Sequence, residues 1–196
     1  MIPQSFLRAA SRARTTTSQT RSIAIGTDLT TSEISWQKAR PWGAEDGACT
    51  ISPPSTLAVD NARDMKEIFK GKKIAVFGIP APFTGTCTNE HVPGYKKLAD
   101  EFKSKGVDEV ICYSVSCPYA HWSWAKSMAI DLAKISFVAD VDAEWAKENK
   151  LDVDFSAHSL GVRSDRFSMF VENGVVKSFQ IVEDASEDAS VLLSQV

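Results

Sequence analysis

Apolar residues in the run KKIAVFGIP, residues 72–80, follow one another almost without interruption. A short run of this kind predicts a strand buried on both faces. In the segment TNEHVPGYKKLADEFKSKG that comes after it, Val92, Tyr95, Leu98, Ala99 and Phe102 fall at helical spacing and Gly106 marks the stop. The alternation continues: DEVICYSVS reads as a strand, PYAHWSWAKSMAID as a helix opened by Pro118, ISFVADVD as a strand and AEWAKEN as a short helix. RFSMFVENGVVKSFQIVED predicts a hairpin turned by Asn173-Gly174, and Glu187–Val196 a closing helix. Upstream, residues 28–62 carry scattered prolines, with SEISWQKARPW and the Pro-Pro-broken CTISPPSTLAV expected as the two strands of a loose hairpin. Alternating β and α segments predict an α/β fold, a central mixed sheet flanked by helices on both faces.

At 196 residues, 43% hydrophobic and 24% charged, the chain has the makings of one globular domain, and none of its apolar runs approaches the length of a membrane span. The leader changes this picture. Residues 1–27 hold Arg8, Arg12, Arg14 and Arg21 and no acidic residue, so without them the formal charge falls by four, from -3 to -7. An acidic body argues against nucleic acid as a partner. Wound as a helix, the leader gathers Ile2, Phe6, Ala9, Ala10 and Ala13 on one side, the pattern of a mitochondrial import segment, with a plastid address as the alternative. The triplet Arg21-Ser22-Ile23 resembles a matrix-processing site, which places the mature start near Ala24. The expected division is therefore residues 1–25 as a cleavable targeting segment to the mitochondrial matrix and 26–196 as the folded domain. Four cysteines, at 49, 87, 112 and 117, do not form a disulfide scaffold in a reducing compartment, which leaves reactivity or metal binding as their use.

Cys87 stands where strand hands over to helix, in IPAPFTGTCTNEHVPG. A helix amino terminus presents unpaired N–H groups and a partial positive charge, so a thiol there yields its proton more easily, and the thiolate is the nucleophile. Thr84 and Thr86 can cap the helix, and Gly85 lets backbone amides approach whatever binds beside the sulfur. Glu90, one turn on, works against the negative charge. A dithiol exchanger carries its second cysteine three positions before the first; here that position is Thr84. A hydroxyl there can donate to the thiolate or to a substrate oxygen, which favours attack on an electrophilic oxygen over dithiol shuttling.

The segments PAPFTGTC, HVPGY, KSKGVDEVICYSV and RSDRFSMFVENGVVK, with the terminal helix, resemble atypical peroxiredoxins of the type II, or peroxiredoxin 5, group, and within it the mitochondrial plant-type branch. The likeness runs from about Gly26 to the end of the chain. It implies a thioredoxin-like fold and thiol-dependent reduction of hydrogen peroxide and organic hydroperoxides, without metal, haem or other cofactor. It also implies a sulfenic acid intermediate, recycling by thioredoxin, glutaredoxin or glutathione, and a homodimer. Carried over by position, Cys87 is the peroxidatic cysteine and Thr84 its hydroxyl partner. Pro80 shields the pocket, and the backbone at Thr86 helps to polarise the O–O bond. Arg166 supplies the guanidinium that stabilises the thiolate, while Arg163 is expected as a surface charge. Cys112 falls at the place of the resolving cysteine. Two departures stand out: PAPFT replaces the family's PGAFT, and Ser116-Cys117-Pro118 places a rival thiol where relatives show Asn-Asp before the proline. Cys49 reads as incidental.

Two further readings compete. Cys87-x-x-x-His91 and Cys117-x-x-x-His121 together offer two sulfurs and two nitrogens to a structural zinc ion, although this is not a common finger spacing. A redox-sensing interaction protein would keep the fold without rapid turnover. Trp122, Trp124 and Trp145 are expected in core or interface, His91 is expected to pack or bond locally, and His121 and His158 to be hydrogen-bonded or exposed rather than catalytic.

Overall fold

The computed structural model describes residues 23–42 and 57–196. The leader up to residue 22, Cys49 and the Pro-Pro segment lie outside the described residues.

Nine strands are described: β1 Ser35–Lys38, β2 Ala62–Asp64, β3 Lys73–Gly78, β4 Glu109–Ser114, β5 Ile135–Ala139, β6 Asp152–Asp154, β7 Val162–Ser164, β8 Phe167–Glu172 and β9 Val175–Ile181. The helices are α1 Leu57–Asn61, α2 Met65–Phe69, α3 Val92–Ser104, α4 Pro118–Ser127, α5 Glu144–Glu148 and α6 Asp188–Ser194. Seven strands form one mixed sheet in the order β2-β1-β5-β4-β3-β8-β9, and β6 and β7 make a separate hairpin. The middle strands β5, β4 and β3 run parallel, and the strands that flank them, β1 and β8, are antiparallel to their neighbours.

The apolar run of β3 is buried on both sides. Ala75 and Phe77 face a core shared with Val92, Tyr95 and Phe102 of α3, Trp124 of α4 and Leu192 of α6. Ile74 and Val76 face the opposite core, with Trp36 of β1, Ile68 and Phe69 of α2, Trp145 of α5 and Phe167 of β8. Helices thus cover both faces, as the alternation predicts. Trp124 and Trp145 are core residues, whereas Trp122 is half-buried with the Lys126 ammonium over its ring. Among the described residues no helix is long and apolar enough to cross a membrane.

The hairpin of β8 and β9 turns on Asn173 and Gly174, both at positive φ, 48° and 84°. That pair of left-handed residues matches the twist of the flanking strands. The upstream hairpin differs from expectation. The described end of CTISPPSTLAV, Leu57 to Val59, lies in α1, and the partner of β1 is β2, with Trp36 opposite Arg63. Where α1 meets this pair, the Asn61 side-chain amide donates to the Lys38 carbonyl at 2.7 Å.

Gly78 closes β3 directly opposite Phe167 in the β8 register. A Cβ at residue 78 would lie 2.0 Å from the Phe167 ring, itself fully buried. Gly78→Ala is expected to lower unfolding free energy by about 1–3 kcal/mol through overpacking. Denaturant titration monitors this, and an unchanged midpoint would show that the ring has room to move.

Candidate active site

Past Gly78 the chain leaves the sheet through Ile79 and Pro80, passes Phe83 at φ 62°, and becomes helical at Gly85. Positive φ in a bulky residue is a strained conformation, here at the loop that delivers the cysteine. The Thr84 carbonyl accepts from the Thr88 amide at 3.0 Å, so the helix starts as the sequence predicts. Its capping differs from the prediction. The Thr84 hydroxyl donates back to the Ala81 carbonyl at 2.9 Å, and Thr86 is exposed and makes no side-chain cap.

Residues Cys87–His91 form a π-helical turn in which the Val92 amide donates to the Cys87 carbonyl. Pro93 accounts for it. A proline has no N–H to offer the carbonyl four residues back and its ring collides with that group, so the turn before it widens. One consequence is that Cys87 and His91 both point inward, 1% and 0% exposed.

Arg166, in the link between β7 and β8, reaches both. Its Nη2 donates to Cys87 Sγ at 3.4 Å and its Nη1 lies 2.9 Å from His91 Nδ1. A guanidinium donor favours negative charge on the sulfur. Behind the imidazole lies Asp188, at the start of α6. Its Oδ2 accepts from His91 Nε2 at 2.8 Å and the Tyr95 hydroxyl at 2.5 Å, and its Oδ1 from the Ser168 hydroxyl at 2.6 Å and Gln180 Nε2 at 2.8 Å. Burial alone would raise this carboxyl, yet the hydrogen bonds from His91, Ser168 and Tyr95 hold it below the usual carboxylate range. Burial lowers His91, helped by the Arg166 charge and opposed by Asp188, so the imidazole is neutral at neutral pH. Tyr95 is pushed well up, first by burial and then by the charge of Asp188, and remains a donor.

The structure therefore brings Cys87 and Arg166 into contact, with Thr84 half-buried three residues away and Pro80 half-buried at the exit from β3. Arg163 is not a plain surface charge. It donates to the Leu160 and Val115 carbonyls and pins the β6–β7 hairpin to the end of β4. Cys112 lies fully buried in β4, in the same apolar cluster as Cys87, and burial pushes its thiol well up. Cys117 is exposed at the cap of α4 and lines a cleft of about 770 Å³, with Arg40, Tyr119 and Glu144, that does not include Cys87.

Among the described residues no group of three or more His, Cys, Asp and Glu is placed to hold a metal. His91 already has both ring nitrogens engaged, and His121 is buried with Nε2 bound to the Ser114 hydroxyl at 2.7 Å. The roles of His91 and Asp188 were not legible in the sequence. The four-residue step from Cys87 to His91, one helix face, was the available signal for the first.

The redoxin family model matches residues 49–195. The chain is 41% identical over 180 residues to peroxiredoxin-2F, mitochondrial, of Arabidopsis thaliana, covering 89% of this chain and 84% of that protein. The chain belongs to the peroxiredoxins. Peroxiredoxin-2F, mitochondrial, of Oryza sativa subsp. japonica is 40% identical over 195 residues, 96% of this chain and 92% of that one. The crystal structure of reduced Prx3 from Vibrio vulnificus in complex with hydrogen peroxide superposes with a TM-score of 0.68 at 28% identity, covering 87% of this chain and 96% of that chain. This peroxiredoxin thus has the thioredoxin-like fold and the thiol-dependent peroxidase activity of its family, with peroxide substrates and a thiol reductant.

The buried histidines give the peroxiredoxin a pH dependence with a definite sign. His121 is pushed down by burial to about 3, against the opposing bond of Ser114, and His91 is lowered as well; unfolded, both protonate near 6.5. The unfolded state therefore binds more protons once pH drops through 6.5, and stability is lost from there down to the folded values. Unfolding free energy should fall by about 1.4 kcal/mol per pH unit below 6.5 from His121 alone. Urea titrations at pH 7 and 5 check this, and His121→Gln should show a shallower fall.

Proposed function

We propose that Cys87 is the thiol that reduces the hydroperoxide, acting in a pocket completed by Thr84, Thr86, Pro80 and Arg166. The observation that carries this reading is the guanidinium donating to the sulfur at the first turn of a helix. As thiolate, Cys87 attacks one peroxide oxygen. The S–O bond forms as the O–O bond breaks, and the departing oxygen leaves as water or alcohol after taking a proton. Arg166 and the backbone N–H groups at Thr86 and Cys87 meet the charge that develops on that oxygen. The Thr84 hydroxyl donates to the Ala81 carbonyl, so its oxygen is the part that can accept from a peroxide O–H.

The product on Cys87 is a sulfenic acid, which condenses with a thiol to a disulfide and water. We assign that thiol to Cys112. Its burial in β4 requires the Cys87–His91 turn to unwind before the sulfurs can meet. The exposure of Cys117 supports a second reading, in which it resolves the acid or receives electrons from the external donor. Thioredoxin, glutaredoxin or glutathione then returns two electrons. A homodimer fits the exposed Phe83, apolar surface beside the cysteine loop. A leader ending before Ile23, shorter than the expected 1–25, would direct the chain to the mitochondrial matrix, in line with the names of the relatives. Ile23, packed in the core with 2% exposure, favours a cut before it rather than at Ala24.

Peroxide consumption with each donor tests the assignment in single Cys→Ser variants at 87, 112 and 117. Cys87→Ser should abolish turnover, and full activity in that variant would end the proposal. Cys112→Ser should accumulate sulfenic acid on Cys87 without an intramolecular disulfide, detected by mass spectrometry. The same result from Cys117→Ser in its place transfers the resolving role.

A further inference from the structure

The site does not end at the arginine. Its guanidinium can only donate, so the His91 nitrogen facing it must present a lone pair. A neutral imidazole has one such nitrogen and one N–H, and which is which depends on the partner at the far side. That partner is Asp188, a carboxylate whose Oδ2 lies 2.8 Å from Nε2 and can only accept. The proton therefore sits on Nε2, and Nδ1 is free to take the Arg166 Nη1 bond at 2.9 Å. With the proton on Nδ1, or on both nitrogens, two donors would meet head-on across that gap.

Asp188 is itself held from several sides. Tyr95 of α3, Ser168 of β8 and Gln180 of β9 all donate to it. The helix that carries it is seated closely on α3: the Ala189 methyl lies 3.3 Å from where a Cβ on Gly94 would stand, and Lys105 donates to the Leu193 carbonyl. The imidazole lies edge-on to Phe77, centroids 5.2 Å apart, which limits its rotation. From this we infer that Asp188 is a positioning residue: through the His91 tautomer it holds Arg166 against Cys87, and the carboxyl-terminal helix thereby sets the reactivity of a sulfur it does not touch. The inference rests on Cys87 being the peroxide-reducing thiol.

The test uses the full chain in its reduced state. Ring nitrogen chemical shifts of His91 in the unmodified protein at pH 7 should report a neutral imidazole protonated on Nε2. A proton on Nδ1, or an imidazolium, overturns the inference without any variant having to fold. Asp188→Ala should shift these signals towards a tautomer mixture and slow the second-order reaction with hydrogen peroxide by about 10- to 100-fold, the scale expected when a catalytic group is misplaced. In an Arg166→Gln background the same substitution should have little further effect, because its influence runs through the arginine. Ile68→Ala, a truncation in the opposite core that leaves α6 and the network in place, should leave the rate of the folded protein near that of the unmodified one. An unchanged rate in folded Asp188→Ala, full additivity with Arg166→Gln, or an equal loss in Ile68→Ala overturns the inference. Failure of the Cys87 assignment appears separately, as peroxide consumption surviving Cys87→Ser.

Discussion

One guanidinium, divided between a sulfur and an imidazole, is the contact around which the site is organised. Arg166 has no neighbour in sequence that would place it near Cys87; the sheet does so. The antiparallel register of β3 and β8 pairs Phe77 with Ser168 and Gly78 with Phe167. The next residue on each strand is therefore Ile79, leading into the cysteine loop, and Arg166. Slipping this pairing by one residue would turn every side chain of β8 to the opposite face and send Ser168 away from Asp188. The Ser164 hydroxyl, donating to the Ile79 carbonyl at 3.0 Å, ties the same two chain segments together just beyond the sheet.

The local helix geometry is equally constrained. An ordinary α-helical turn into Pro93 would set the ring against a carbonyl, and the widened turn at Cys87–His91 removes that conflict. The wider turn lies within the stretch that carries both Cys87 and the histidine behind its arginine. Strain at Phe83 and an irregular turn at Cys87 flank the chemistry on either side, while the sheet beneath is regular and buried. Other residues at positive φ, Ala129, Ala143, Lys150, Ser159 and Asn173, lie in turns away from the cysteine loop.

Much of the architecture was legible from pattern because each long element buries a periodic face: β3, α3, β4, α4, β5 and the β8–β9 hairpin all stand where spacing and turn residues put them. The short pieces were not. β2 and the β6–β7 pair have three residues in each strand, too few for a period to register, and β6 and β7 are largely uncovered. Arg163 read as solvated because its carbonyl partners, Val115 and Leu160, leave no mark in sequence. Cys87 was singled out by its neighbours and Arg166 by the family resemblance, and the structure sets the two in contact. Asp188 was beyond reach: nothing in an acid near the start of a terminal helix announces a partner 97 residues away.

If Cys87 is the sulfur that peroxide oxidises, the packing around it opposes the disulfide that must follow. If Cys112 closes the disulfide, the turn carrying Cys87 must leave its seat, and His91 travels with it. Asp188 then loses one of its four donors while remaining inside the protein, and a buried carboxylate short of a partner is costly. The reduced, unreacted state is the one in which every group of the network is paired. Unwinding is uphill until the new S–S bond, with water as the other product, offsets it. A site built this way holds its folded form while it waits for peroxide and surrenders it only to a covalent change. On the proposed assignment the sulfenic acid would persist for as long as the network stays closed, and contacts on the far side of the imidazole from the sulfur would then govern the lifetime of the most vulnerable oxidation state.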